Sequence, residues 1–474
     1  MAAPASRPAE TVTTVIHDAA IVTVDDRDSV HYGSAIAIEG DRIAAIGPSA
    51  ELLARYPAAE RVDGTGKMVM PGFANVHTHF TMTLARGVFE DLSPPHKPPF
   101  SGGLSPIPLP AMTPDERRTM ALLGALEALR SGTTLALEDS NNVDDYAGAL
   151  ADTGMRFLLG ERAFDRIGTE IGDPAPYQLD RALGQRHLRI IEDTFNKWNG
   201  KADGRLRIAV SAWAPDMCSP ELLEDLRALQ QKLGTWATIH LNQIWGEVAA
   251  VKAHRNRLPT EYLADLGFLN DRLICAHCRC MEPGEETILG KAGVTVSFNA
   301  AIAARRGLSP RIADLESYGC TIAMGSDNMA EDMVEVLRTG LFMERIRRAD
   351  GRNPTPEHAL RWATRNGYRA LGIPDGGWLA PGNKADLIMV DLVRPHMVPV
   401  LRVVSTFVHQ GQARDVEAVM VDGKWLMRDG VVLTMDEPAI LAEAQKVANR
   451  TWSQQFRARM GLKVPAGFSP DALP

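Results

Sequence analysis

The chain has 474 residues, 45% hydrophobic and 23% charged, with a formal net charge of -8. That is an ordinary globular composition, long enough for one large core with an accessory unit or for two or three ordinary domains. The negative balance argues against a nucleic-acid binder, since the arginine pairs 117-118, 305-306 and 347-348 are too scattered to track a phosphate backbone.

Residues 1–11, rich in Ala and Pro with no apolar run behind them, read as a disordered leader. No apolar run approaches the ~20 residues of a membrane span, so no membrane partner is expected. Residues 12–70 read as short strands and turns, with Gly40-Asp41 between apolar runs marking a hairpin. Similar pieces recur near the other end, at Leu387–Val390 and Val416–Val421. Residues 12–70 and 381–435 together predict a small β-sandwich assembled from both termini, and 436–474 a C-terminal helix and tail.

The middle, residues 71–380, repeats a rhythm. Strand candidates fall at Val69–His79, Thr133–Glu138, Met155–Gly160, Leu206–Trp213, Ala237–Leu241, Leu273–His277, Val294–Phe298 and Thr321–Gly325. Helical patterns such as Pro114–Ser131, Pro220–Leu233 and Gly284–Ala292 lie between them. Eight strands separated by helices predict an α/β fold, a (β/α)8 TIM barrel. The rival, a doubly wound open sheet, usually carries a Gly-rich phosphate loop after its first strand, and none is present.

Such barrels place their active sites at the C-terminal ends of the strands. The first candidate ends in His77-Thr78-His79, whose two imidazoles share one face of a strand. A lone His-x-His is more often a pair of packing or surface histidines. Here, however, the fifth candidate ends near His240, the sixth at His277, and the eighth runs into Asp327. Histidines and a carboxylate gathered on one barrel face read as a metal site. The five cysteines, three of them in Cys275-Ala-His-Cys278-Arg-Cys280, do not form a secreted disulfide framework. Cys275 and Cys278 lack the second ligand pair of a zinc knuckle, so ordinary reduced thiols in a cytoplasmic protein are expected.

With these motifs in place the sequence resembles the amidohydrolase superfamily over nearly its whole length. The resemblance rests on Met70-Pro-Gly-Phe-Ala-Asn-Val-His-Thr-His79, Ser131-Gly-Thr-Thr134, Ala214-Pro-Asp-Met-Cys-Ser-Pro-Glu-Leu222, Ile239-His-Leu241, Ala276-His-Cys278, Gly325-Ser-Asp-Asn328 and Leu379-Ala-Pro-Gly-Asn-Lys-Ala-Asp-Leu-Ile388. It is closest to the branch of triazine hydrolases and cytosine or guanine deaminases. It implies one divalent metal, zinc before iron, cobalt or manganese, held by His77, His79, His240 and Asp327. It further implies that His277 hydrogen-bonds the attacking water or the substrate, and that Asp327 carries the proton to the leaving group. A small-molecule substrate and a homo-oligomer are implied as well.

One position departs from the pattern. The deaminase and triazine branches carry a proton-shuttling glutamate three residues after the strand-five histidine, and here that residue is Gln243. An amide hydrogen-bonds but does not shuttle protons. Glu247 is the nearest acid that could replace it, its bland alternative being a solvated helix residue. The expectation is therefore a hydrolase cleaving an amide, urea or carbamate-like C–N bond. Deamination or dehalogenation of an N-heterocycle is the alternative, and a catalytically silent scaffold a remote one. Glu138, Asp139 and Ser140 are candidates to line the pocket or cap a helix, Arg305 or Arg306 to hold a substrate carboxylate, and Phe80–Met112 to form a lid.

Overall fold

The structure, a computed structural model, describes residues 12–90, 107–458, 464 and 467–469. The leader, residues 91–106 of the expected lid and most of the tail after Ala458 lie outside the described residues. Three runs of strands follow one another along the chain. The first is β1 (Thr14–Val22), β2 (Val30–Glu39), β3 (Arg42–Pro48), β4 (Glu60–Asp63) and β5 (Lys67–Pro71). The second is β6 (Phe73–Thr78), β7 (Thr133–Ser140), β8 (Arg156–Ala163), β9 (Leu206–Ala212), β10 (Ala237–Leu241), β11 (Leu273–His277), β12 (Thr295–Phe298) and β13 (Thr321–Met324). The third is β14 (Leu387–Asp391), β15 (Val416–Val421), β16 (Lys424–Arg428) and β17 (Val431–Val432).

The first and third runs share one nine-stranded sheet, in the order β17-β16-β15-β14-β5-β1-β2-β3 with β4 beside β1. β5 joins the two ends of the chain, running parallel to β1 and antiparallel to β14. One cluster on this sheet takes Ile36 and Ile43 from one edge and Met389 and Met420 from the other, so the sheet curls around a shared core. The turns meet as well: a Cβ on Gly423 would lie 2.0 Å from the Gly40 carbonyl. The other face presents Met68, Met70, Ile388 and Val390 to the barrel.

β6 to β13 pair in sequence order, all parallel. The seam between β13 and β6 closes only at the strands' C-terminal ends. There the His79 amide donates to the Asp327 carbonyl at 2.8 Å and the Asp327 amide to the His77 carbonyl at 3.0 Å. This is the (β/α)8 barrel expected from the sequence. The local signals are clear for the helices: Thr113 and Glu116 form a capping box for Pro114–Arg130, and Ser219 starts Pro220–Leu233, which ends at left-handed Gly234. The largest boundary shift among the barrel strands after β6 is at β8, which runs beyond the expected Gly160 to Ala163.

One expectation is corrected. Val69–His79 is not one strand but two, in different sheets, divided at Gly72. A Cβ there would meet the Thr134 side chain at 2.2 Å, so only glycine lets the chain step between the sheets. The helix Glu437–Ala458 packs beside Pro114–Arg130, with Arg450 donating to Glu116 at 2.7 Å and the Trp452 indole to the Leu84 carbonyl at 2.7 Å. Among the described residues no helix is long and apolar enough to cross a membrane.

Candidate metal centre

His77, His79, His240, His277 and Asp327 meet at the C-terminal mouth of the barrel, all buried. The His77 ring lies 4.6 Å from that of His79, 4.7 Å from His240 and 5.3 Å from His277, centroid to centroid. The Nε2 atoms of His79 and His240 are 3.2 Å apart. Asp327 Oδ1 stands 3.5 Å from His79 Nε2 and 4.0 Å from His77 Nε2.

The opposite ring nitrogens are held by the backbone. His79 Nδ1 meets the Asp139 carbonyl, and His240 Nδ1 donates to the Trp213 carbonyl at 2.9 Å. A proton fixed on Nδ1 leaves Nε2 with its lone pair toward the shared centre. Both nitrogens of His77 and Oδ2 of Asp327 are buried without a hydrogen-bond partner among the described residues. Burial also drives His77 down to about 3 and His79 and His240 well below the ordinary histidine range, with Arg162 adding repulsion. Three neutral imidazoles and a carboxylate with unused lone pairs suit a divalent cation.

Asp139 also reaches the cluster, from the other side. Its Oδ1 accepts from Ser211 Oγ at 2.5 Å, and its Oδ2 lies 3.7 Å from His240 Nδ1 and 3.5 Å from Arg162. Its carboxylate comes within metal-ligand reach of His77, His79 and His240, as that of Asp327 does with His77 and His277; Asp327 Oδ1 faces the Nε2 atoms of His79 and His77. Asp327 is pushed up to about 6 by burial, against the pull of Arg279, Arg306 and Arg162. His277 is oriented by a relay: Ser297 Oγ donates to Asn299 Oδ1 at 2.6 Å, which turns the Asn299 amide nitrogen to His277 Nδ1 at 3.1 Å. The His277 proton then sits on Nε2.

The backbone at this mouth is unusual. His277 (φ 81), Cys278 (φ 47), Asp327 (φ 73) and Asn242 (φ 50) are non-glycine residues in left-handed conformations. Such conformations cost ~1–3 kcal/mol each and gather where surrounding structure enforces a functional geometry. Beneath them Asn75 donates to Ser326 Oγ at 2.7 Å, and Thr78 and Ser326 both donate to buried Glu331, tying the first and last barrel strands together.

A cavity of about 230 Å³ opens onto the cluster. His79, His240, Asp327, Gln243, Arg162 and Arg306 line its polar side, and Met82, Phe89, Ile107, Leu109 and Trp213 its apolar side. The described parts of the Phe80–Met112 segment thus wall the cavity. Gln243 has its side-chain oxygen buried without a hydrogen-bond partner among the described residues. Glu247 is not part of the lining: its carboxylate accepts from the Asn242 amide at 2.8 Å and the Gln243 amide at 2.7 Å. Glu138 points away, accepting from the Phe80 amide at 2.8 Å and the Tyr146 hydroxyl at 2.9 Å. Arg305 pairs with Glu335 at 3.1 Å, and all five cysteines are free and buried.

Sequence reading did not single out Arg162, Arg279, Asn299 or Glu331. For Arg162 a signal existed, since it lies next to the last residue of β8 on the mouth side. The others act through contacts that spacing does not encode.

Against this geometry the comparisons are decisive. A profile described as the Amidohydrolase family matches residues 68–426. The chain belongs to the amidohydrolase family. Its relatives include a 5-methylthioadenosine/S-adenosylhomocysteine deaminase of Pelotomaculum thermopropionicum, 32% identical over 92% of this chain and 98% of that protein. A 5'-deoxyadenosine deaminase of Methanothermobacter thermautotrophicus is 32% identical over 89% of this chain and 96% of its own. The fold matches a zinc-bound adenosine deaminase of Xanthomonas campestris with a TM-score of 0.82 at 24% identity, covering 94% of this chain and all of that one. It also matches a triazine hydrolase variant with a TM-score of 0.81 at 20% identity, covering 92% and 99%. This amidohydrolase is a hydrolase of carbon–nitrogen bonds other than peptide bonds, and its His/Asp cluster fits the family's divalent metal. The scaffold reading falls away.

Proposed function

We propose that this amidohydrolase binds one divalent metal, zinc before iron, cobalt or manganese, and releases ammonia or an amine from an sp2 carbon of a small nitrogen compound. The convergence of His77, His79, His240 and Asp327, with two imidazoles already turned by backbone carbonyls, carries the reading. These four side chains would hold the metal, which supplies Lewis acidity and water acidified toward neutral pH. Asp327 takes the proton of the attacking water and hands it to the departing nitrogen. His277, with its proton on Nε2, donates to the oxygen that is added to the carbon or, in an acyl substrate, to the carbonyl oxygen that gains charge as the carbon turns tetrahedral. Gln243 orients the substrate through its amide, and Glu247 holds the turn that presents Gln243.

The relatives' names support an aminoheterocycle as substrate, and that is the leading reading. Gln243 favours the second, an amide, urea or carbamate, because the acid that would protonate a ring nitrogen is absent at its position. The free, buried cysteines support a reducing, cytoplasmic location, and a homo-oligomer follows from the resemblance. The test is elemental analysis followed by a screen for ammonia or amine release from aminopyrimidines, aminopurines and their nucleosides, aminotriazines, ureas, carbamates and amides. Two metals per chain would refute the mononuclear site, and no release with any of the four metals would refute the hydrolase. Gln243→Glu separates the classes: it accelerates an aminoheterocycle reaction and leaves an acyl-type reaction no faster.

A further inference from the structure

Part of the cavity wall comes from a segment that the chemistry above does not use. Residues 164–180 join β8 to the helix Arg181–Trp198, and buried ties fasten them on both sides of Glu170. Arg166 Nη2 donates to the Asp173 and Ala175 carbonyls, each at 2.9 Å. The Gly172 amide donates to Asp216 Oδ2 at 2.7 Å, and Arg166 Nη1 lies 3.4 Å from the same oxygen. The segment rests directly on the turn that carries Gln243. A Cβ on Gly172, at φ 80, would lie 2.6 Å from Ile244 Cδ1 and 3.1 Å from the Glu247 amide nitrogen, so glycine is what permits the contact. Ile171 and Ile244 pack in one buried cluster. Glu170 and Gln243, the residues just before these two isoleucines, both line the cavity.

Among the described residues of that lining, two carry carboxylates, Asp327 and Glu170. Asp327 handles the proton of the attacking water. Glu247 is occupied by two backbone amides, and neither it nor Glu138 or Glu90 lines the cavity. Glu170 is half-buried, and no donor or cation among the described residues acts on its carboxylate. Burial, with the charge of Asp173 adding to it, raises this carboxyl above the ordinary 4.5 and so favours its protonated form. An idle acid thus stands beside an amide that cannot shuttle a proton.

We propose that Glu170 is the acid that protonates a ring nitrogen of the substrate, supplied by the segment after β8 in place of the glutamate absent at position 243. This assignment rests on the aminoheterocycle reading above. The cavity is small, about 230 Å³, so a ring whose reacting carbon faces His79 and Asp327 also meets the wall that carries Glu170 and Gln243. The Glu170 O–H bond breaks as the ring N–H bond forms, while the attacking water gives one proton to Asp327 and its oxygen bonds to the carbon. As the C–N bond breaks, Asp327 passes its proton to the departing nitrogen and the new hydroxyl returns a proton to Glu170. One water is consumed, one ammonia leaves, and both carboxyl groups end as they began.

The test has two arms, both on the zinc-loaded protein. Purine, which has ring nitrogens and no group to release, is titrated calorimetrically. Glu170→Met should weaken it about tenfold, whereas Glu170→Gln, whose amide still donates, should hold it. In the second arm Glu170→Gln should cut kcat for the aminoheterocycle turned over fastest by ~10²–10⁴-fold, with little change in KM. Gln243→Glu should then return part of the rate, by a larger factor than it brings to the unaltered chain. Glu170→Asp keeps the acid on a shorter arm, should retain more rate than Glu170→Gln, and covers the case in which the amide variant fails to fold. Purine binding that is absent or indifferent to Glu170→Met overturns the proposal, as does near-normal kcat in Glu170→Gln; neither touches the hydrolase reading. A rise in KM alone also overturns it, making Glu170 a holder of substrate rather than an acid, and so does release from amides, ureas or carbamates only. Purine binding that depends on Glu170, with no release from any substrate, keeps the contact and sinks the hydrolase.

Discussion

The barrel has a buried charge cluster at each end, and the two are built on opposite plans. At the N-terminal end of the strands, Arg156 Nε donates to Asp386 at 2.5 Å and its Nη2 reaches both Asp386 and Asp422. Asp386 also accepts from the Tyr368 hydroxyl at 2.9 Å and the Asp422 amide at 2.8 Å. That cluster pins the terminal sheet to β8 and leaves its members paired. At the C-terminal end, His77, Asp327, His277 and Arg279 keep buried polar atoms that no described residue satisfies. Burying polar groups is tolerable when they are paired. A complete cluster therefore serves the fold, and an incomplete one reserves its atoms for something that arrives later.

The contrast breaks most visibly at the ligands. His77→Ala or His240→Ala should strip the metal and abolish turnover while the circular-dichroism spectrum of the barrel persists; elemental analysis and an activity assay check both. Asp327→Asn should lose ~10²–10⁴-fold in kcat with a much smaller change in KM. Near-normal turnover would move the proton transfer to another group, His277 first. At the other end Arg156→Met takes the cation from buried Asp386, while Asp422 keeps Lys384 and Arg205; it should cost ~3–5 kcal/mol in denaturant unfolding, with kcat intact at permissive temperature.

The smallest effect concerns Glu331 beneath the mouth, which burial pushes up to about 8 from the ordinary 4.5. The folded state keeps this proton after the unfolded chain would have released it. The group's contribution to stability is thus whole below about pH 4.5 and declines as pH rises toward 8. Glu331→Gln should flatten that part of the Tm-against-pH curve, and an unchanged slope would assign the decline to other buried acids.

What the sequence revealed follows from where the information sits. The barrel was legible because strand and helix periods alternate along the chain, and because Ser219-Pro220 and Gly234 punctuate a helix chemically. The five mouth residues were legible because strand-end position alone brings them together. Gly72 was not, since its necessity comes from Thr134, distant in sequence. Glu247 looked like a spare acid because the two amides it accepts from belong to the backbone and leave no trace in residue identity. Arg162 offered no period to read; only the fold shows that it already has its anion in Asp139.

The seam between the first and last barrel strands has a further consequence. β6 and β13 are stitched to each other through the backbones of His77, His79 and Asp327, the residues proposed above to hold the metal. The ion would then act as a clasp on the cylinder, holding together the first and last staves of a wall built in chain order. A partner bound only by the closed form raises its stability by mass action. Chelation should accordingly do more than silence the enzyme: it should lower the melting temperature of the whole barrel, and returning the metal should restore shape and chemistry together.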